Sequence, residues 1–215
     1  MKKVLVLILL LTMAIISSFA QEKDVTKFLG IPVDGTKAEM IAKLKEKGFT
    51  STAYDKEVLE GEFNGRNVTI LLVTNGNKVY RVGVCDKIGM TETNIKDHFN
   101  ILFKQFSNNG KYMCIEGAAI SEDEDISYEM IVKNKQYSAS FIQCNKAEIK
   151  NDLYSKYSEE EIKNFSKEKI SELATAFFDA NIHKTVCLTI HKWGGEYFIM
   201  MLYDNELNKA NGDDL

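Results

Sequence analysis

The sequence predicts an α+β fold in which antiparallel sheets carry helices packed on one face, arranged as repeated helix-plus-meander units. Strand-like runs follow one another directly and are separated only by turn signals such as Asn64-Gly65. Each of three helical segments has one apolar stripe, which can cover a sheet from one side only. The order is a helix followed by several strands, which argues against the single-strand alternation of a parallel doubly wound sheet.

The first unit is predicted to open with a helix that begins at a capping box formed by Thr36 and Glu39. Strands are predicted to follow at residues 58–63, 66–74 and 79–85. Residues 68–73 are apolar apart from Thr69, which is typical of a strand buried on both faces.

The second unit is predicted to begin with a helix capped by Thr91, followed by strands at residues 111–118, 126–133 and 137–144. The third has a helix that opens at Ser158 with another capping box. A hairpin of residues 184–193 and 196–203 then closes at Gly194-Gly195, since glycines tolerate the positive φ of such a turn.

The domain boundaries follow from composition. Residues 1–20 have the basic start, short apolar run and small-residue exit of a secretory signal peptide, so we expect export to the periplasm or beyond, with cleavage after Ala20. Residues 21–204 are predicted to form a single domain, and the polar residues 205–215 a flexible tail. The three units would occupy residues 28–88, 89–150 and 151–204.

The charge balance restricts the classes of partner. The chain has 27 Lys+Arg against 31 Asp+Glu, and a signal peptide would remove Lys2 and Lys3. An acidic chain without clustered cations is a poor binder of nucleic acid. No apolar run after Ala20 is long enough to cross a bilayer, so no transmembrane span is expected in the mature chain.

Two helix openings are alike, because Gly35-Thr36 and Gly89-Met90-Thr91 each precede a helix that leads into a meander. The second resembles the helix opening of the small outer-membrane assembly lipoproteins, which share a helix-plus-sheet unit with the β-lactamase-inhibitor protein, where it occurs twice. The lipoproteins' acylated cysteine is absent here. Residues 28–36, continuing to Phe49, are similar to the start of a group of uncharacterised bacterial secreted proteins, which implies export and no assigned activity.

The four cysteines, Cys85, Cys114, Cys144 and Cys187, lie in or beside apolar strand-like runs. They allow three pairings, among which the sequence does not choose. The favoured interpretation is buried thiols acting as small hydrophobes, because a domain this long does not need a covalent staple. The alternative is one disulfide between Cys114 and Cys144 on neighbouring strands.

Cys187 and His191 are the candidates for chemistry, since strand alternation places them on one face, opposite the apolar residues of the same strand. Such a pair could supply a thiolate nucleophile or metal ligands. No third ligand or orienting residue accompanies them, so a half-buried sheet face is the favoured interpretation. We expect no cofactor and no metal.

The favoured function is a non-enzymatic binding or structural module of the periplasm or cell envelope. Its helix-free sheet face would contact an envelope or secreted protein, or a glycan. Trp193, Tyr112 and Tyr137 are predicted to contribute, because aromatic rings stack on sugars and pack against partners. One alternative is a small secreted hydrolase or thiol-dependent enzyme using Cys187 and His191. Another, implied by the tandem-unit resemblance, is an inhibitor of a secreted enzyme.

Overall fold

The computed structural model describes residues 24–209 as an eight-stranded antiparallel sheet, a two-stranded hairpin and six α-helices. The predicted α+β class with antiparallel sheets is therefore confirmed. The proposed signal peptide, residues 1–20, and the last residues of the predicted tail, 210–215, lie outside the described residues. Within residues 24–209, no helix combines the length and the apolarity needed to cross a membrane.

The first half of the chain builds a hairpin, a helix and a meander. The hairpin strands are β1 (Lys27–Phe28) and β2 (Ile31–Pro32), and the helix is α1 (Lys37–Glu46). The capping box predicted for α1 is present, since Glu39 N–H donates to Thr36 Oγ1 at 3.3 Å and Thr36 N–H donates to Glu39 Oε2 at 2.8 Å. The meander strands are β3 (Thr50–Ser51), β4 (Leu59–Phe63), β5 (Arg66–Asn75) and β6 (Lys78–Asp86).

The second half repeats this order with insertions. Helix α2 (Glu92–Asn108) begins at its predicted cap, Thr91, and precedes four strands that again form a meander. These are β7 (Tyr112–Glu116), β8 (Ser138–Gln143), β9 (Lys184–Trp193) and β10 (Glu196–Asn205). The strand order is β3-β4-β5-β6-β10-β9-β8-β7, so the two meanders join at β6 and β10. The described chain thus contains two helix-plus-meander units, where the sequence predicted three.

The hydrophobic core lies between this sheet and the helices on one of its faces. Helix α2 buries Ile95, Phe99, Leu102 and Phe106, and α1 buries Met40 and Leu44. The same cluster contains the inward side chains of the central strands, among them Ile70, Val84, Val186, Leu188, Ile199 and Met201. Burial of these apolar surfaces supplies the main driving force for this arrangement.

The predicted double-sided burial of residues 68–73 is wrong. Val68, Ile70 and Leu72 are buried, whereas Leu71 and Val73 are 41% and 38% exposed. Helices cover only one face of β5, so the outward apolar residues remain in contact with solvent. The sheet therefore has an uncovered apolar side at β5, whereas Ile142, an outward residue of β8, has no exposed surface.

The strand predicted at residues 126–133 is also wrong, because this segment forms helix α3 (Ile126–Val132). Asp125 caps it by accepting a hydrogen bond from Tyr128 N–H at 2.8 Å. The Glu92 carboxylate accepts two more, from Ile126 N–H at 2.9 Å and from the Ser127 hydroxyl at 2.7 Å. These acceptors satisfy donors at the helix start and favour the helix over an alternating strand.

The third predicted helix is part of a longer helical insertion. Helices α4 (Lys146–Lys156), α5 (Glu159–Lys163) and α6 (Lys167–Asn181) follow β8 and precede β9, and we call residues 146–181 the arm. Ile142 and Thr185, on either side of the arm, are register partners in the sheet. The arm is therefore an insertion at the tip of the β8–β9 hairpin, and none of its helices has a buried residue.

Replacing the arm by a two-glycine linker is expected to preserve the sheet and change the free energy of unfolding by no more than about 1 kcal/mol. The surface contacts that are lost contribute little to stability. A shorter loop also costs less entropy to close, which offsets part of that loss. Urea unfolding followed by circular dichroism, with the protein that retains the arm as control, measures the change. A loss above about 3 kcal/mol would show that the arm packs on the sheet in solution.

The predicted flexible tail does not begin at Asn205. A 3₁₀ turn covers Glu206–Asn208, and both Asn205 and Asn208 are buried. Asn205 Nδ2 donates to Val33 O at 2.8 Å, and Asn208 Nδ2 donates to Val79 O at 2.9 Å. These bonds attach the end of β10 to the first helix-plus-meander unit.

Candidate functional site

Strand alternation gives the large sheet a second side, which we call the open face. The inward residues Ile70, Val84 and Leu188 belong to the core under α1 and α2, so their neighbours along each strand point the opposite way. The open face consists of these outward residues on β5, β6, β10, β9 and β8.

Two uncharged rows cross the open face, because successive members of each row are register partners. The first row is Leu71, Gly83, Leu202, Cys187 and Ser140. The second row is Thr69, Cys85, Met200, Thr189 and Ser138. Together they form a contiguous patch of apolar and small polar side chains, of the kind that marks interaction surfaces.

Gly83 lies between Leu71 and Leu202 in the first row and has no side chain. A Cβ at this position would lie 3.7 Å from Leu202 Cδ2 and 3.9 Å from Leu71 Cβ, which is ordinary van der Waals contact. Gly83 is itself buried, so its backbone has little contact with solvent, whereas Leu71 beside it is 41% exposed.

An ion pair borders the patch. Arg81 Nε and Nη2 donate to the two carboxylate oxygens of Asp204, each at 2.6 Å, and the Asp204 side chain is 9% exposed. The carboxylate raises the pKa of Arg81 through these hydrogen bonds. Because each charge is neutralised by the other, this edge does not make the open face strongly charged.

Cys187 and His191 both lie on the open face, as alternation predicted, but the structure does not bring them together. Four residues of extended strand separate their Cα atoms by about 13 Å, far beyond hydrogen-bond reach. Burial raises the pKa of the Cys187 thiol, which disfavours the thiolate that a nucleophile requires. The Cys187 sulfur instead accepts a hydrogen bond from Ser140 Oγ at 3.8 Å. This geometry gives the enzyme alternative no support.

The three aromatic residues proposed for a contact surface lie in different environments. Trp193 is 80% exposed at the end of β9 and belongs to the open face. Tyr112 packs edge-on against Phe106 of α2 at 4.7 Å between ring centroids, on the helix-covered side. Tyr137 is buried and donates a hydrogen bond to Glu124, which together with burial raises its pKa. Of the three, only Trp193 is available to a partner on the open face.

The four cysteines are free thiols, so the alternative of a Cys114–Cys144 disulfide is not realised in this structure. Cys144 N–H bonds to Lys111 O, and Lys111 is three residues, or about 10 Å, from Cys114 along the strand. That separation exceeds what a disulfide can span. Cys144 is buried and fits the favoured interpretation, whereas Cys114 is exposed and does not.

A cleft of about 840 Å³ opens where β8 ends and β9 begins, and sequence reasoning missed it. The N-terminal segment, β7 and both ends of the arm supply its walls. The Gln143 amide holds the N-terminal segment there: its Oε1 accepts from Lys27 N–H at 2.6 Å, and its Nε2 donates to Lys27 O at 2.9 Å. Tyr112 and Cys144, singled out for other reasons, both line this cleft.

Lys184 is the unusual residue of the cleft, because it is a lysine at a buried position, 6% exposed. Its ammonium pairs with Asp24 Oδ2 at 2.5 Å, while the Asp24 side chain is 78% exposed. The sequence did carry a signal for it, since Lys184 is in phase with the inward residues Val186 and Leu188 of β9. A lysine on that face must be paired or face a polar cavity.

The Glu124 carboxylate, outside the cleft, is part of an ion pair within the fold. Glu124 pairs with Lys135, and the ion pair and hydrogen bonds lower its pKa. Among residues 24–209, no three or more His, Cys, Asp and Glu side chains are placed to hold a metal ion together.

Comparison with known proteins identifies no relative. No protein-family model matches the chain, and no curated protein or solved structure matches it either.

Proposed function

We propose that this protein is an exported, non-enzymatic binding module of the periplasm or cell envelope, whose open face contacts a protein partner. The observation that carries the proposal is the contiguous uncharged patch on a sheet face that α1 and α2 leave uncovered. The signal-peptide features of residues 1–20 support export.

The composition of the patch favours a protein partner over a glycan. Interface centres are depleted in charge and enriched in aromatic residues and methionine. The open face has Leu71, Met200 and Leu202 beside Gly83, with Trp193 near one end. Sugar recognition relies on stacked rings surrounded by polar groups, whereas this face has a single strongly exposed ring.

Photo-cross-linking in the native envelope fraction tests the proposal. With p-benzoylphenylalanine in place of Leu71, we expect an adduct with one protein. The same amino acid in place of Lys43, an exposed residue of α1 on the opposite side of the molecule, should not give that adduct. Absence of an adduct at position 71, or the same adduct at both positions, would contradict the proposal.

A competition experiment adds a quantitative prediction. Excess unmodified protein should suppress the adduct, whereas Leu71→Asp should compete about tenfold less well, because a charge would be desolvated in the interface. Lys43→Asp is the matched control and should compete like the unmodified protein. Leu71 is 41% exposed, so its replacement should leave the fold intact. Equal competition by the two variants would place the contact elsewhere.

A further inference from the structure

The cleft at the β8–β9 hairpin is separate from the patch of the open face and has the size of a small-molecule site. Its volume of about 840 Å³ lies within the usual range for ligand pockets. Part of its wall is apolar, with Val25, Phe63 and Ile149 among the lining residues. An apolar wall of this extent favours a ligand with an apolar body.

The charges in the cleft favour an anion. Lys27, Lys111 and Lys184 line it, against the carboxylates of Asp24 and Glu148. Three ammonium groups therefore line one cleft in a chain whose formal net charge is −4. Clustered cations in a concave site attract ligands of the opposite sign.

The buried ammonium provides the anchoring group. Lys184 is 6% exposed, and its ion-pair partner, Asp24, is a largely exposed residue near the start of the described chain. An ammonium has three hydrogen-bond donors, so it can accept an anionic ligand beside Asp24 or in its place. The Gln143 amide and the Tyr112 hydroxyl, 3.2 Å apart, provide further polar groups in the same wall.

From this juxtaposition we propose that the cleft binds a small organic anion with an apolar body, whose acidic group pairs with Lys184. The Asp24 carboxylate pairs with the Lys184 ammonium when the ligand is absent, and it competes with the ligand's acidic group for that ammonium. The ligand class comprises carboxylates and sulfonates that carry an aromatic or aliphatic group.

Fluorescence titration of the full mature chain with two matched dyes tests the proposal. The anionic probe is 8-anilinonaphthalene-1-sulfonate, and the neutral probe is N-phenyl-1-naphthylamine. Lys184→Met should weaken binding of the anionic probe about tenfold and leave the neutral probe within about twofold, since a charge-assisted hydrogen bond is lost. Lys78→Met, a change at an exposed lysine outside the cleft, is the matched control and should change neither.

Asp24→Asn supplies the decisive second variant. It leaves the buried Lys184 ammonium without its counter-charge and should lower the free energy of unfolding, so urea unfolding has to show that the variant is folded before it is titrated. We expect it to strengthen binding of the anionic probe by up to about fivefold, since an exposed carboxylate no longer competes for Lys184. Unchanged or weaker binding in Asp24→Asn would overturn the proposal. So would anionic-probe binding that survives Lys184→Met but is lost in Leu71→Asp, which would place the dye on the open face.

Discussion

Replacing Phe28 by Ala should lower the free energy of unfolding by about 3–5 kcal/mol, the range for deleting a buried aromatic ring. Phe28 has no exposed surface, although it lies in the two-residue strand β1. Its ring centroid is 4.9 Å from that of Tyr203, 5.2 Å from Phe63 and 6.4 Å from Phe49. Alanine would leave a cavity among three rings that cannot easily close.

The neighbouring Leu29 is the matched control for this prediction. It is 40% exposed, so Leu29→Ala should cost less than about 1 kcal/mol. Urea unfolding of both variants should be followed by circular dichroism, because the single tryptophan, Trp193, is already 80% exposed and reports folding poorly. A loss below about 1 kcal/mol for Phe28→Ala would mean that the β1–β2 hairpin does not dock on the core in solution.

Signals confined to a few adjacent residues could be read directly from the sequence. Asn64-Gly65 forms the predicted tight turn, with φ of 51° and 75°, and Gly194-Gly195 does the same with 60° and 87°. The capping box at Thr36 likewise depends only on Glu39, three residues away. In each case the partners are neighbours in the chain, so local chemistry decides the conformation.

The wrong predictions, the strand at residues 126–133 and the third unit, involve residues whose partners are distant in the sequence. Alternation in residues 126–133 fitted a strand, but α3 begins where the Glu92 carboxylate, from another helix, accepts its first donors. The sequence does not reveal that β8 and β9 are neighbours across the arm, because register pairs such as Ile142 and Thr185 form only in the folded sheet. The third predicted unit, residues 151–204, therefore belongs to the second unit, because its strands β9 and β10 continue the sheet beside β8.

The candidate site could be predicted only as far as it depends on the alternation of residues within one strand. Alternation placed Cys187 and His191 on one face of β9, and that face is the uncovered one. It could not show which outward residues of other strands stand beside them, since this depends on sheet order. The cleft combines residues as far apart in sequence as Asp24 and Lys184, and only the inward phase of Lys184 hinted at it.

The Arg81–Asp204 ion pair at the edge of the open face leads to the second large prediction. Arg81→Met should lower the free energy of unfolding by about 3 kcal/mol, because it leaves a carboxylate that is 9% exposed without its counter-charge. The Arg81 side chain is 29% exposed, so water can reach the site and keep the cost at the low end. Asp204→Leu should cost only about 1 kcal/mol, since the long arginine side chain can turn its charged end to water.

The double variant Arg81→Met/Asp204→Leu separates the two effects. Apolar residues of similar volume commonly replace a buried pair without loss, so the double variant should be at least about 2 kcal/mol more stable than Arg81→Met alone. Urea unfolding of the four proteins yields the coupling energy. If Arg81→Met costs less than about 1 kcal/mol, the pair is not formed in solution. In the double variant the uncharged patch extends towards Val73, so cross-linking from position 71 should persist if apolar contact, rather than the ion pair, holds the partner.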